Sequence, residues 1–173
     1  MIPRRAPEST LLAALMLLVP LCVQALPEDA EQPMNVDYLR LDIFLNEGVQ
    51  VYTGSREEPA CITQGSLKIC GVEIRVEQGD DGELKQVTAT GTPARFQQQP
   101  AANQELVHAS GATLVFDNTA QVVTADGDAE LSQKGIVFSH QHIEYDIDSG
   151  HVSANGAEGE RGQVSVPPTP ASN

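Results

Sequence analysis

Leu114-Val115-Phe116-Asp117-Asn118-Thr119-Ala120-Gln121-Val122-Val123-Thr124-Ala125-Asp126-Gly127 is answered by Ile143-Glu144-Tyr145-Asp146-Ile147-Asp148-Ser149-Gly150-His151-Val152-Ser153-Ala154-Asn155-Gly156, which starts 29 residues later, at 143 against 114. Leu114, Phe116, Asp117, Val123, Ala125 and Gly127 fall on Ile143, Tyr145, Asp146, Val152, Ala154 and Gly156. That spacing holds two short strands and two turns and leaves no room for a crossover helix, so the unit predicts stacked antiparallel strands. A weaker copy lies upstream at Val87-Thr88-Ala89-Thr90-Gly91, and Tyr52-Thr53-Gly54 is a further, eroded one. The chain reads as a ribbon that lengthens by adding hairpins.

The rest of the chain keeps this pattern. Val49-Gln50-Val51-Tyr52, Val72 to Glu77, Thr113 to Phe116, Ile136-Val137-Phe138 and Ile143 to Ile147 alternate with period two, which gives one apolar and one wet face. Gly79-Asp80-Asp81-Gly82, Asp126-Gly127-Asp128 and Asp148-Ser149-Gly150 supply turn chemistry between them, with Asp80-Asp81 and Asp126/Asp128 expected at hairpin tips. No stretch carries a helical period. The fold class expected is all-β, with Leu67, Ile69, Val72, Ile74, Val76, Val87, Ala89, Phe96, Leu114, Phe116, Val123, Ala125, Leu131, Ile136, Phe138, Ile143, Tyr145 and Val152 on one interior face. These side chains are mostly slim and aliphatic, and the chain has no Trp. They either fill a sandwich core or line a furrow for an aliphatic ligand.

The ends place the chain outside the cytoplasm. Arg4 and Arg5, the apolar run Leu11 to Val23, and Val23-Gln24-Ala25 predict a cleaved signal peptide over 1–25. A flexible leader is expected over 26–33, one folded domain over 34–166, and a proline-rich tail over 167–173 that cannot join a ladder. Later stretches fall short of the roughly 18 apolar residues that span a bilayer. Removing residues 1–25, with Arg4, Arg5 and Glu8, takes the formal charge from −14 to −15. Such a surface repels phosphate backbones, which argues against nucleic acid as a partner. Cys61 and Cys70 flank Ile62 to Ile69: if Gly65-Ser66 makes a two-residue turn, Ile62 faces Ile69 and the cysteines face each other, close enough to bridge in an oxidising compartment.

The order of Gln32-Pro33-Met34-Asn35-Val36, then Thr63 to Ile69, then Gly91-Thr92-Pro93-Ala94-Arg95-Phe96, behind an export signal, resembles the OstA-like periplasmic proteins of lipopolysaccharide transport. The repeated aromatic-Asp and Ala-x-Gly units and the closing Val164 to Pro168 fit the same family. The resemblance implies a single folded-over antiparallel sheet, a β-jellyroll or β-taco, in the periplasm, with lipid acyl chains in its interior and no cofactor. It also implies end-to-end self-association. The edge at Met34 and Val36 would face an inner-membrane-anchored partner of similar fold, and the edge at Val164 and Val166 the next copy or the outer-membrane translocon. Arg56-Glu57-Glu58-Pro59 stands as an insertion ahead of the first hairpin, and the cysteine pair is not a hallmark of that family.

Two other readings compete. His140 and His142 alternate onto one face, with Asp146 and His151 nearby, the way cupin-type jellyroll enzymes grip a metal, although that pattern favours Glu where Asp146 stands. Asp126-Gly127-Asp128 offers two carboxylates, short of the six or more oxygens calcium takes. Nucleophilic catalysis has no support, since Gly-x-Ser-x-Gly is absent and Ser110-Gly111 and Ser149-Gly150 are turn serines. The third reading is a β-sandwich adaptor that binds protein only. Without a catalytic set or a nucleotide motif, a non-enzymatic carrier is the expectation.

Overall fold

A computed structural model describes residues 29, 31–79, 81–157 and 159–168. The signal segment expected over 1–25 lies outside the described residues, as do 169–173 of the tail. The strands are β1 (Asn35–Asp37), β2 (Arg40–Phe44), β3 (Val49–Thr53), β4 (Ala60–Gln64), β5 (Leu67–Gly71), β6 (Glu73–Gln78), β7 (Leu84–Gln98), β8 (Val107–Asp117), β9 (Val122–Gln133), β10 (Ile136–Asp146), β11 (His151–Asn155) and β12 (Gln163–Ser165). All belong to one antiparallel sheet.

The register shows why that sheet folds over. The first part of β7 pairs with β6, and its last residues pair with β5. The ladders from β7 to β10 break in step, between Thr90 and Ala94, between Ser110 and Thr113, and between His140 and His142. Each long strand therefore bends at one line. One layer holds β2, β3, β6 and β11 with one end of each long strand, and the other holds β1, β4, β5 and β12 with the opposite ends. At the crease Gly111 runs so close to β9 that an added Cβ would lie 2.8 Å from the Asp126 carbonyl oxygen, and only Gly fits there.

The 29-residue unit is a repeat of register. Leu114 pairs with Ala125 and Phe116 with Val123 in one hairpin; Ile143 pairs with Ala154 and Tyr145 with Val152 in the next. The upstream copies follow, with Ile74 opposite Ala89 and Val76 opposite Val87, then Leu41 opposite Tyr52 and Ile43 opposite Gln50. The repeated Asp closes the turn: Asp117 Oδ1 accepts the Thr119 and Ala120 amides at 2.9 Å, and Asp146 Oδ1 accepts that of Ser149 at 2.8 Å. Those turn amides hold the Asp146 carboxyl below its ordinary value, because they bond its charged form.

One expectation changes. Asp126-Gly127-Asp128 is not a hairpin tip: it lies inside β9, where Gly127 (φ 77°) and Asp128 (φ 50°) bend the strand at the crease. Turn chemistry makes a bulge there rather than a reversal, because β8 and β10 continue alongside on both flanks. At the leader, the carboxylate of Asp29 accepts hydrogen bonds from the Ser66 amide at 3.0 Å and from its hydroxyl, tying residue 29 to the β4–β5 turn.

Candidate functional site

Because opposed residues share a face, the pairings join into apolar rows, one in each layer crossing the whole sheet. In the first layer one row runs Leu41, Tyr52, Ile74, Ala89, Leu114, Ala125, Ile143, Ala154, and its neighbour runs Val76, Val87, Phe116, Val123, Tyr145, Val152. In the second layer the row is Val36, Ile62, Ile69, Phe96, Ala109, Leu131, Phe138, Val164. From Ile74 to Ala154 large and small side chains alternate along the first row, a consequence of the repeat. The layers meet through these rows, with the Phe96 and Phe116 ring centroids 6.0 Å apart.

Most of the residues named from the sequence come together here. Leu67, Ile69, Ile74, Val76, Val87, Ala89, Phe96, Leu114, Phe116, Val123, Ala125, Leu131, Ile143 and Tyr145 belong to one buried cluster, with Phe138 and Val152 packed against it. Val72, between β5 and β6, and Ile136, at the start of β10, are only half-buried and stand outside that cluster. Sequence reasoning left Tyr52, Ala60, Ile62, Ala94, Val107, Ala109, Ala129 and Ile147 off the interior face. The alanines give no hydrophobic-period signal, although Ala94 and Ala129 flank the crease, where a larger side chain would hold the layers apart.

At the centre of the interior Ile74, Ala89 and Ala94 are 0 % exposed. A ligand between the layers must replace their mutual packing. Burial pushes the Tyr145 phenol above its ordinary value, with the neighbouring Asp146 charge adding to the rise. On the same inner face, near the free margin, Gln98 is buried beside Val107, and its Oε1 has no hydrogen-bond partner among the described residues. No feature of the sequence pattern marks that glutamine.

Among the described residues, the row of each layer that crosses the sheet ends at strands paired on one side only. At one end these are β1 and β2, with Tyr38, Leu39, Ile43, Phe44 and Leu45 exposed around them; at the other they are β11 and β12, with Val164 59 % exposed. Met34 and Val166, both exposed, flank β1 and β12 rather than lying in them. Cys61 and Cys70 are paired residues of β4 and β5 joined by a disulfide, Cα atoms 4.2 Å apart.

The histidines do not assemble. The register shift sets His140 opposite Ala129 and His142 opposite Asp126, so period two fails between them. His142 Nδ1 lies 2.7 Å from Asp126 Oδ1, while His140 Nδ1 accepts the Gln141 amide. Among the described residues no group of three or more His, Cys, Asp or Glu side chains is placed to hold a metal ion.

The described residues form one folded-over, edge-open antiparallel β-sheet with an apolar interior. Residues 41–151 match the family described as LptA/(LptD N-terminal domain) LPS transport protein, and the chain belongs to that family. It is 34% identical to the lipopolysaccharide export system protein LptH of Pseudomonas aeruginosa over 143 residues, 83% of this chain and 78% of that one. It is 28% identical to the lipopolysaccharide export system protein LptA of Haemophilus influenzae over 148 residues, 84% and 83% of the two chains. The crystal structure of LptH, described as the LptA-homologous periplasmic component of the lipopolysaccharide transport device of Pseudomonas aeruginosa, superposes with a TM-score of 0.73 at 30% identity, covering 82% of this chain and all of that one.

Proposed function

We propose that this chain is a periplasmic component of lipopolysaccharide export that holds the lipid's acyl chains between its two layers and passes them on without chemistry. One observation carries the reading: one apolar row in each layer, Leu41 to Ala154 and Val36 to Val164, runs unbroken from one edge strand to the other. A dozen-carbon acyl chain in water costs on the order of 10 kcal/mol, at about 0.8 per methylene. An interior that continues from one protomer to the next removes that barrier. Burying the acyl chain offsets the cost of parting Phe96, Phe116 and their neighbours. Driving force comes from another component, since the sequence has no nucleotide motif.

Strand addition supplies the connection, because an unpaired edge offers a row of backbone donors and acceptors. The β1 and β2 edge, with Met34 and Val36, takes an inner-membrane-anchored partner of similar fold. The β11 and β12 edge, with Val164 and Val166, takes the next copy or the periplasmic domain of the outer-membrane translocon. A photocrosslinker placed at Phe116 or Ile74 in living cells tests the interior, and one at Val164 tests the edge. Lipopolysaccharide adducts at the interior positions are expected. Protein adducts at the edges with no lipid adduct inside would replace the carrier with a protein-only adaptor.

A further inference from the structure

Resting on the carrier reading, a second site stands on the outside of the second layer. Lys68, Gln97 and His108 form an outward row across β5, β7 and β8, and Arg95, opposite Cys70 and Ser110, stands in the row beside it. With the Cys61–Cys70 disulfide and Ser132 they line a groove of about 360 Å³. A second hollow, of about 610 Å³, lies between the Gln99–Leu106 connection and Lys134, and shares His108 and Ser132 with the first. That connection joins β7 to β8 at the free margin of the layer, next to buried Gln98, so the two hollows make one path from the margin onto the outer face.

The charges along this path run against the rest of the protein. The chain carries a formal charge of −14. Arg40 and Arg75 pair with Asp42 and Glu77, whereas among the described residues no carboxylate lies within ion-pair distance of Lys68, Arg95 or Lys134, as is also true of Arg56, Lys85 and Arg161. Glu130 is the acid that lines the groove, and Glu105 lines the second hollow. Two serine hydroxyls add neutral donors. Solvated cations of this kind hold a free anion weakly, and the negative field of the whole chain keeps free anions away. An anion tethered to chains already held between the layers meets the groove at an effective concentration on the order of millimolar.

We infer that this groove seats an anionic group, a phosphate, on the sugar end of an amphiphile whose acyl chains occupy the interior. Lys68 and Arg95 bond the phosphate oxygens, and Lys134 and His108 lie on the way from the margin. The negative surface then selects against anions that lack acyl chains.

The test is binding of the full chain to an acylated glucosamine disaccharide carrying phosphates, to the same glycolipid without them, and to inorganic phosphate alone. The wild type is expected to prefer the phosphorylated glycolipid by roughly tenfold at low salt, and the Lys68→Gln, Arg95→Gln double variant to bind both alike. Lys85→Gln removes a charge from the other layer and is expected to keep the preference. Equal binding of the two glycolipids by the wild type, loss of preference in the Lys85 variant, or saturation by inorganic phosphate at micromolar concentration would overturn the inference alone. Binding of neither glycolipid by the wild type overturns the carrier reading, and this inference with it.

Discussion

Phe116→Ala tests whether the two layers are held by the packing described. Phe116 is 4 % exposed, lies between Val87 and Val123 in its row, and meets Phe96 of the opposite layer at 6.0 Å between ring centroids. Truncating a buried Phe costs about 3–5 kcal/mol, of which an aromatic pair accounts for roughly 0.5–1.5. Against a total stability on the order of 5–15 kcal/mol, that is a large share. The melting temperature is expected to fall by about 10 °C, at roughly 2–4 °C per kcal/mol for a chain of this size. Urea unfolding followed by circular dichroism gives the difference directly. Because the same packing opposes insertion of an acyl chain, the variant is also expected to bind lipid at least as tightly as the wild type. A loss under about 1 kcal/mol would refute the inter-layer packing, and weaker lipid binding by a folded variant would refute the competition between packing and ligand.

Gly111→Ala places a Cβ 2.8 Å from the Asp126 carbonyl oxygen, and is expected to cost about 1–3 kcal/mol by chemical unfolding; a neutral outcome would mean the crease opens freely there. Tyr145 carries a phenol pKa raised by burial and by Asp146, so its contribution to stability is complete below about pH 10 and is lost as pH rises through the folded value. Tyr145→Phe is expected to lose less stability between pH 9 and pH 11 than the wild type, with buried Tyr52, whose pKa is also raised, accounting for part of the remaining slope. Identical slopes for the two proteins would remove Tyr145 from that account.

The repeat of aromatic, Asp, Ala and Gly at 29 residues was enough to read β-hairpins and most of the buried face. Local physics explains this: alternation fixes which side chains share a face, and Gly or Asp fixes where a turn closes. The Gly65-Ser66 turn likewise set Cys61 opposite Cys70. Other features were not legible there. Asp126-Gly127-Asp128 has the chemistry of a tip and serves as a crease, a distinction that depends on whether neighbouring strands continue past it. The bulge that separates His140 from His142 depends on the same bend, so a period-two rule could not foresee it. Burial of Ala94, Ala129 and Gln98, and the gathering of Lys68, Arg95 and His108 on one outer face, follow from β7 to β10 each serving two layers. Chain-local patterning determined which faces are apolar, whereas only long-range strand pairing decided which face meets which, because a residue's partners across a folded sheet lie far away in sequence.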